Sequence, residues 1–147
     1  MTASSSQNAY PPDNVADGSS QTFWVSNGYQ PGDAPTAQKP EWLRFDFPKA
    51  VTVAKLHLMP RTPFGPREIE VQVSEDGQKF VTVKAFSVPN EPSTELPLPE
   101  TTARVFRILV TASYASQNTQ ITEAWWGDQK PSGRRALLGT PGAICIR

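Results

Sequence analysis

The stretch DNVADGSSQTFWVS, Asp13 to Ser26, crowds Asp13, Asp17, Ser19, Ser20 and Thr22 just ahead of the aromatic pair Phe23-Trp24. Calcium and similar hard cations gather about six to eight oxygen ligands, from carboxylates and backbone carbonyls alike. The same residues also make an ordinary Asp-Gly turn, because Asp and Ser side chains bond nearby backbone. Taken alone they support either account. Other reactive side chains are few. His57 is the single histidine and lies within an alternating apolar stretch. Any Ser-His-Asp or Cys-His centre would have to be built on it, and a solvent-facing strand residue is the simpler account. Cys145 is the single cysteine, so no disulfide forms within the chain. G-x-S-x-G, H-E-x-x-H, phosphate-loop and paired-cysteine metal motifs are absent. Facing carboxylates of the glycosidase kind leave no signature of their own. The balance favours a binding protein over an enzyme.

The elements that must position these residues are strands. In REIEVQVSEDGQKF, Ile69, Val71 and Val73 alternate with Glu68, Glu70, Gln72 and Ser74, the period of a strand with one wet face. Asp76-Gly77 then forms a tight hairpin turn, and KFVTVKAF returns as the partner. EWLRFDF sends Leu43, Phe45 and Phe47 to one side, and Trp42, Arg44 and Asp46 to the other. VTVAKLHLMP begins in one phase with Val51 and Val53 and continues in another with Leu56 and Leu58, which predicts a β-bulge near Ala54-Lys55. STELPLP reads as a short edge strand because Pro97 and Pro99 cannot donate to a ladder. RVFRILVTASY and TQITEAWWG complete the set. No helical period runs far enough for a major helix. Eight or so short strands with turns between them predict an all-β fold, an antiparallel β-sandwich.

Composition agrees. The chain has 147 residues, 37% hydrophobic and 19% charged, enough for one domain with its own core. Lys and Arg balance Asp and Glu, 14 against 14, which argues against a nucleic-acid or anionic-membrane binder. Fifteen prolines, about twice the usual share, suit short strands and stiff loops. No apolar run is long enough to span a membrane. The N-terminus has no basic-then-apolar leader, so any such segment is removed or was never there. From Asp128, DQKPSGRRALLGTPGAICIR changes character; we read 1–127 as the domain and 128–147 as a linker, an expression remnant or an appended strand.

NVADGSSQTFW, PEWLRFDF, GPREIEVQVSEDGQKF and ITEAWWG occur in that order and spacing. Together, over about Ala3 to Gly127, they resemble the discoidin-like family: coagulation-factor C-type domains and, most closely, bacterial carbohydrate-binding modules of family 32. The resemblance implies a jelly-roll sandwich with neighbouring chain ends and a structural calcium ion where the first loop meets the last strand. Carried over by position, the implied ligands are the Asn14 carbonyl, the Asp17 side chain, the Ser19 carbonyl, the Thr22 hydroxyl and carbonyl, the Thr122 carbonyl and the Glu123 carboxylate.

The family's sugar site lies on loops at one end of the sandwich, here NGYQPGDAPTAQKP, PRTPFGPRE and SYASQNTQ. Sugars are held by aromatic faces and by charged or amide side chains. The candidates are Arg61, Phe64, Tyr114, Asn118, Tyr29 and Arg67, with Gln117 beside them. The family often sets an Arg, an Asn and a His near the sugar. Arg61 and Asn118 match two of these, whereas His57 sits in mid-strand, away from the pattern. The resemblance thus implies a secreted or cell-surface, non-catalytic module. Its partner would be a glycan such as galactose, N-acetylgalactosamine or a plant or host polysaccharide, and its parent a multidomain glycan-active enzyme. The alternative is a discoidin-type protein or lipid adhesion domain, whose usual cysteine pair and apolar loop spikes this chain lacks.

Overall fold

Alternating side chains make the strands, and shifts of register join some of them into longer ones. A computed structural model describes residues 1–127. The segment assigned above as linker, remnant or tail lies outside the described residues. The elements are β1 (Thr2–Ala3), a 3-10 turn (Pro12–Ala16), β2 (Trp24–Val25), β3 (Glu41–Pro60), β4 (Pro66–Ser74), β5 (Val81–Ser87), β6 (Thr94–Ser113) and β7 (Gln120–Trp126). Every pairing is antiparallel, in the order β2-β7-β3-β6-β4-β5, with β1 added to β3. The fold is the expected antiparallel β-sandwich.

The strand count is lower than eight because β3 and β6 run for 20 residues each. Register shifts lie between Asp46 and Val51 and between Val53 and Lys55, the second at the anticipated bulge. A bulge bends a strand without ending it. β3 therefore pairs with β6 along its first half and with both β6 and β7 along its second. STELPLP is the start of β6 and no separate edge strand. Its Pro97 and Pro99 are exposed, and the Pro97 carbonyl accepts from Lys84 Nζ at 3.3 Å.

The core forms where the inward faces meet. Leu43, Phe45, Phe47, Leu56, Leu58, Ile69, Val71, Phe106 and Ile108 are buried, while Val73 packs partly buried at the margin. Trp126 is its centre: Phe45 meets it edge-on at 5.4 Å between ring centroids, and Phe106 lies tilted at 4.9 Å. Trp24 and Trp125 are also buried, whereas Trp42 stays half-buried on the outward face. His57 stacks flat on Trp125 at 4.7 Å, and its Nε2 lies 2.9 Å from Glu95.

The β4–β5 hairpin turns at Asp76-Gly77 as expected, with Gly77 at φ +79°. The Asp76 carboxylate accepts from the Lys79 and Gln78 amides, at 3.0 and 2.8 Å, and from the Ser74 hydroxyl at 2.9 Å. Bonds to the charged form favour it, so the carboxyl is lowered from 3.8 to about 2. A depressed carboxyl contributes stability above its ordinary value and loses that contribution as pH falls through its folded value. Acid titration followed by NMR should show Asp76 titrating near pH 2, with the hairpin amides of Gln78 and Lys79 losing protection between about pH 4 and pH 2. An Asp76 that titrates like a free carboxyl would contradict the capped turn. In the core, Phe106→Ala should cost about 3–5 kcal/mol in denaturant unfolding, because the cavity forms against Trp126 and Phe47.

Candidate functional site

All three candidate loops reach the same end of the sandwich. The loop after β2 is held by Gly32 N–H donating to the Ser116 carbonyl at 2.9 Å, and by Asn118 Nδ2 donating to the Gly28 carbonyl at 3.0 Å. The β3–β4 loop is tied to the β6–β7 loop by Tyr114 N–H to the Gly65 carbonyl and Gln120 N–H to the Phe64 carbonyl, both 2.9 Å. The Ser113 hydroxyl, at the end of β6, lies 2.8 Å from the Asn118 carbonyl and 3.0 Å from the Gly65 carbonyl. Backbone groups, with the Asn118 and Ser113 side chains, thus fix the loops. Gly28 is required where it stands: at φ +147°, an added Cβ would lie 2.0 Å from the Gln117 carbonyl oxygen.

Three rings stay outside the packing. Tyr29 is 67% exposed, Phe64 38% and Tyr114 39%. Among the described residues, the fourth exposed large hydrophobic side chain is Val81, so the exposed aromatics gather on these loops. Tyr114 is anchored by its hydroxyl, which donates to the Val88 carbonyl at 2.6 Å, and this presents the ring at a set angle. Tyr29 sits on a turn whose amides, its own and that of Gln30, donate to Asp33 Oδ2 at 3.2 and 3.1 Å.

Arg61 stands beside Phe64, but it is more tightly held than a free surface cation. Its guanidinium lies 4.1 Å from the Phe23 ring centroid and 5.5 Å from that of Phe64. Phe23 in turn stacks on Tyr10 at 4.9 Å. Nη1 of Arg61 donates to Gln120 Oε1 at 2.8 Å, Gln120 Nε2 donates to Asn118 Oδ1 at 3.0 Å, and Asn118 passes the chain to Gly28. Asn118 is buried with its amide engaged at both ends, so it acts by ordering the loops. Arg67 is exposed at the start of β4, and Gln117 is exposed on the β6–β7 loop. Tyr10, Phe23 and Gln120 were missed by sequence reasoning. Phe23 shows in the sequence only as half of an aromatic pair, and Gln120 gives no local signal because its role depends on Arg61, far away in the chain.

The oxygen-rich loop is ordered by its own side chains. Asp17 Oδ1 accepts from the Ser19 amide at 2.9 Å, and Oδ2 accepts from the Thr22 hydroxyl. Asn14 Nδ2 donates to the Phe23 carbonyl at 3.0 Å, drawing the loop closed. The 3-10 turn that carries Asn14 packs against β7, which carries Thr122 and Glu123. Glu123 is fully buried and Thr122 nearly so. Two of the expected ligands, Asp17 and Thr22, are therefore in direct contact. No group of three or more His, Cys, Asp or Glu clusters among the described residues, so a metal here would rely on carbonyls and hydroxyls as well.

The family model described as F5/8 type C domain matches residues 1–125. The chain belongs to the F5/8 type C domain family. No curated protein shows a significant match to it. Among solved structures, chitosan-binding module 1 from a Paenibacillus sp. IK-5 chitosanase/glucanase superposes with a TM-score of 0.70 at 21% identity, over 84% of this chain and 89% of that one. A family 32 module from NanJ of Clostridium perfringens, solved with galactose, gives 0.69 at 18% identity, over 84% and 88%. A pectin-binding module gives 0.69 at 18% identity, over 86% and 88%. At these identities the likeness establishes a shared fold. Within this F5/8 type C domain, Asn118→Ala should cost about 1–3 kcal/mol in denaturant unfolding, because it leaves the buried Gly28 carbonyl with Gln7 Nε2 as its remaining side-chain donor and takes the Asn118 acceptor from Gln120 Nε2. An unchanged midpoint would show that the Arg61–Gln120–Asn118 chain does not order the loops.

Proposed function

We propose that this domain is a non-catalytic carbohydrate-binding module whose sugar site is the loop end carrying Tyr29, Phe64 and Tyr114. The observation that carries the reading is three exposed rings on one end, beside Arg61. Rings on ordered loops offer flat apolar surface to sugar C–H groups with little loss of freedom on binding. Arg61 retains donors beyond its bond to Gln120, and these are suited to hydroxyls. Solved relatives of this fold include modules for chitosan, pectin and galactose, which supports a glycan ligand of galactose type or a related polysaccharide. The module would serve outside the cell, raising the local concentration of a linked glycan-active enzyme on its substrate.

Binding should be weak, since an open loop surface buries only part of a sugar. On a glycan array, the protein should retain a defined set of glycans, and Phe64→Ala should weaken that binding at least about tenfold. Its melting temperature should stay within about two degrees, as for a surface change. Arg61→Ala should weaken binding and also destabilise, because its guanidinium packs on Phe23. If Phe64→Ala and Tyr29→Ala both bind like the parent, the loop end is not the site.

We also propose that Asn14, Asp17, Ser19, Thr22, Thr122 and Glu123 hold a structural calcium ion. Their oxygens suit that hard cation, and the Asp17–Thr22 contact brings two of the donors together. A bound ion would tie the first loop to β7 and stabilise the native state by mass action. Chelator should lower the melting temperature by several degrees in the parent and leave Asp17→Ala unmoved. A parent melting curve indifferent to chelator and to added calcium would refute the assignment.

A further inference from the structure

Phe23 belongs to two neighbourhoods at once. Its backbone closes the oxygen-rich loop: its carbonyl accepts from Asn14 Nδ2 at 3.0 Å, and the hydroxyl of the preceding Thr22 donates to Asp17 Oδ2. Its ring belongs to Arg61, whose guanidinium carbon lies 4.1 Å from the ring centroid. That is well inside the range, about 6 Å, over which a cation is drawn to a ring face. Phe64, at 5.5 Å, is the more distant of the two rings. Phe23 is itself held by Tyr10, which stacks on it with 4.9 Å between centroids and 17° between planes.

The second hold on Arg61 comes from Gln120. Gln120 accepts from Arg61 twice: its carbonyl from the Arg61 amide at 3.1 Å, and its Oε1 from Nη1 at 2.8 Å. One hold is a ring beneath the guanidinium, the other a hydrogen bond at its edge. A free arginine gives up rotamer freedom when it binds a ligand, whereas one held in this way has given it up already. The two holds differ in what fixes them. Gln120 is fixed by its pairing with Val25 across β2 and β7 and by Asn118. Phe23 lies just outside β2, so its place is set by the loop before it, through Asn14 and the Thr22–Asp17 pair.

We infer that Phe23 is a positioning residue for Arg61, and that through it the order of the loop at 13–22 sets how Arg61 is presented at the loop end. The oxygen-rich loop and the loop end then act as one coupled unit instead of two separate sites. Coupling is reciprocal, so a ligand that fixes Arg61 is also felt at Thr22. The effect on glycans rests on the loop-end reading, whereas the effect on Arg61 itself does not. Nor does it need a bound metal, since the chain's own side chains make the latches.

The deciding measurement is the Arg61 Nε–H NMR signal of the intact chain without ligand. Thr22→Val removes the hydroxyl that holds Asp17 without touching Phe23 itself, and it should shift that signal. Phe23→Leu keeps an apolar side chain but no ring, and it should move the signal toward that of an exposed arginine. Adding Thr22→Val to Phe23→Leu should move it no further, because the link is already cut. Phe23→Tyr retains the ring and should respond to Thr22→Val as the parent does. Unmoved Gln78 and Lys79 amides in the β4–β5 turn report that each variant is folded. Thr22→Val alone decides the matter if Phe23→Leu does not fold. On the glycan array, Phe23→Leu should weaken each glycan that the parent retains about tenfold. A parent that retains none sinks the loop-end reading, and the Arg61 signal then decides the coupling by itself. The inference is overturned if Thr22→Val leaves the Arg61 signal in place, if it moves that signal equally with and without the Phe23 ring, or if folded Phe23→Leu binds a retained glycan undiminished.

Discussion

The hydrogen-bonded ladder between β3 and β6 is the constraint on which the other elements depend. It joins Glu41 to Val110 at one end and Leu58 to Thr94 at the other, with two shifts of register between. β1 and β7 attach to β3, and β4 attaches to β6, so no strand except β2 and β5 lies more than one step from the pair. A flat ladder of this length would bury one face only. The register shifts bend it, and the bend lets Phe45, Phe47, Leu56 and Leu58 of a single strand share one core with Phe106 and Trp126. Placement of the loops follows, because Pro66 at the start of β4 pairs with Ser113 at the end of β6, and Pro60 at the far end of β3 pairs with Ile121 near the start of β7.

The loop end divides labour between backbone and side chains. Carbonyls and amides of Gly28, Gly32, Gly65, Ser116 and Gln120 pair across loops, which removes the cost of ordering them later. Buried polar side chains complete that work, and the series Arg61, Gln120, Asn118 is continuous. A buried amide with each end satisfied rigidifies its surroundings, whereas one left half-satisfied would cost stability. The rings of Tyr29, Phe64 and Tyr114 can therefore remain exposed without leaving the loops loose. Exposed apolar surface concentrated at one ordered place is the mark of a surface kept for a partner.

A net charge of +0 conceals local order. On the outward face Arg44 is matched by Asp46, and Lys55 and His57 share Glu95. Exposed pairs of this kind add little stability. Arg107, by contrast, is held by Gln72 and by two rings. Cation–ring packing retains the charge while covering apolar surface.

Local order decided the strands, and it was legible in the sequence. Ile69 and Val71 alternate with Glu68 and Glu70 because a pleated strand has period two, and Asp76-Gly77 turns because glycine alone takes φ +79° freely. The change of phase after Val53 marked a bulge, since only an added residue moves apolar side chains from one face to the other. The three loops were legible as stretches of Pro, Gly and polar residues between such runs. What no stretch encodes is register between distant strands. That Phe23 would stack against Arg61, that Gln120 would reach Arg61, and that Arg44 would face Arg107 are relations across 38, 59 and 63 positions. They exist only once the β3–β6 ladder has chosen its pairing, because neighbours in space are set there by packing of the whole core and by nothing nearby in the chain.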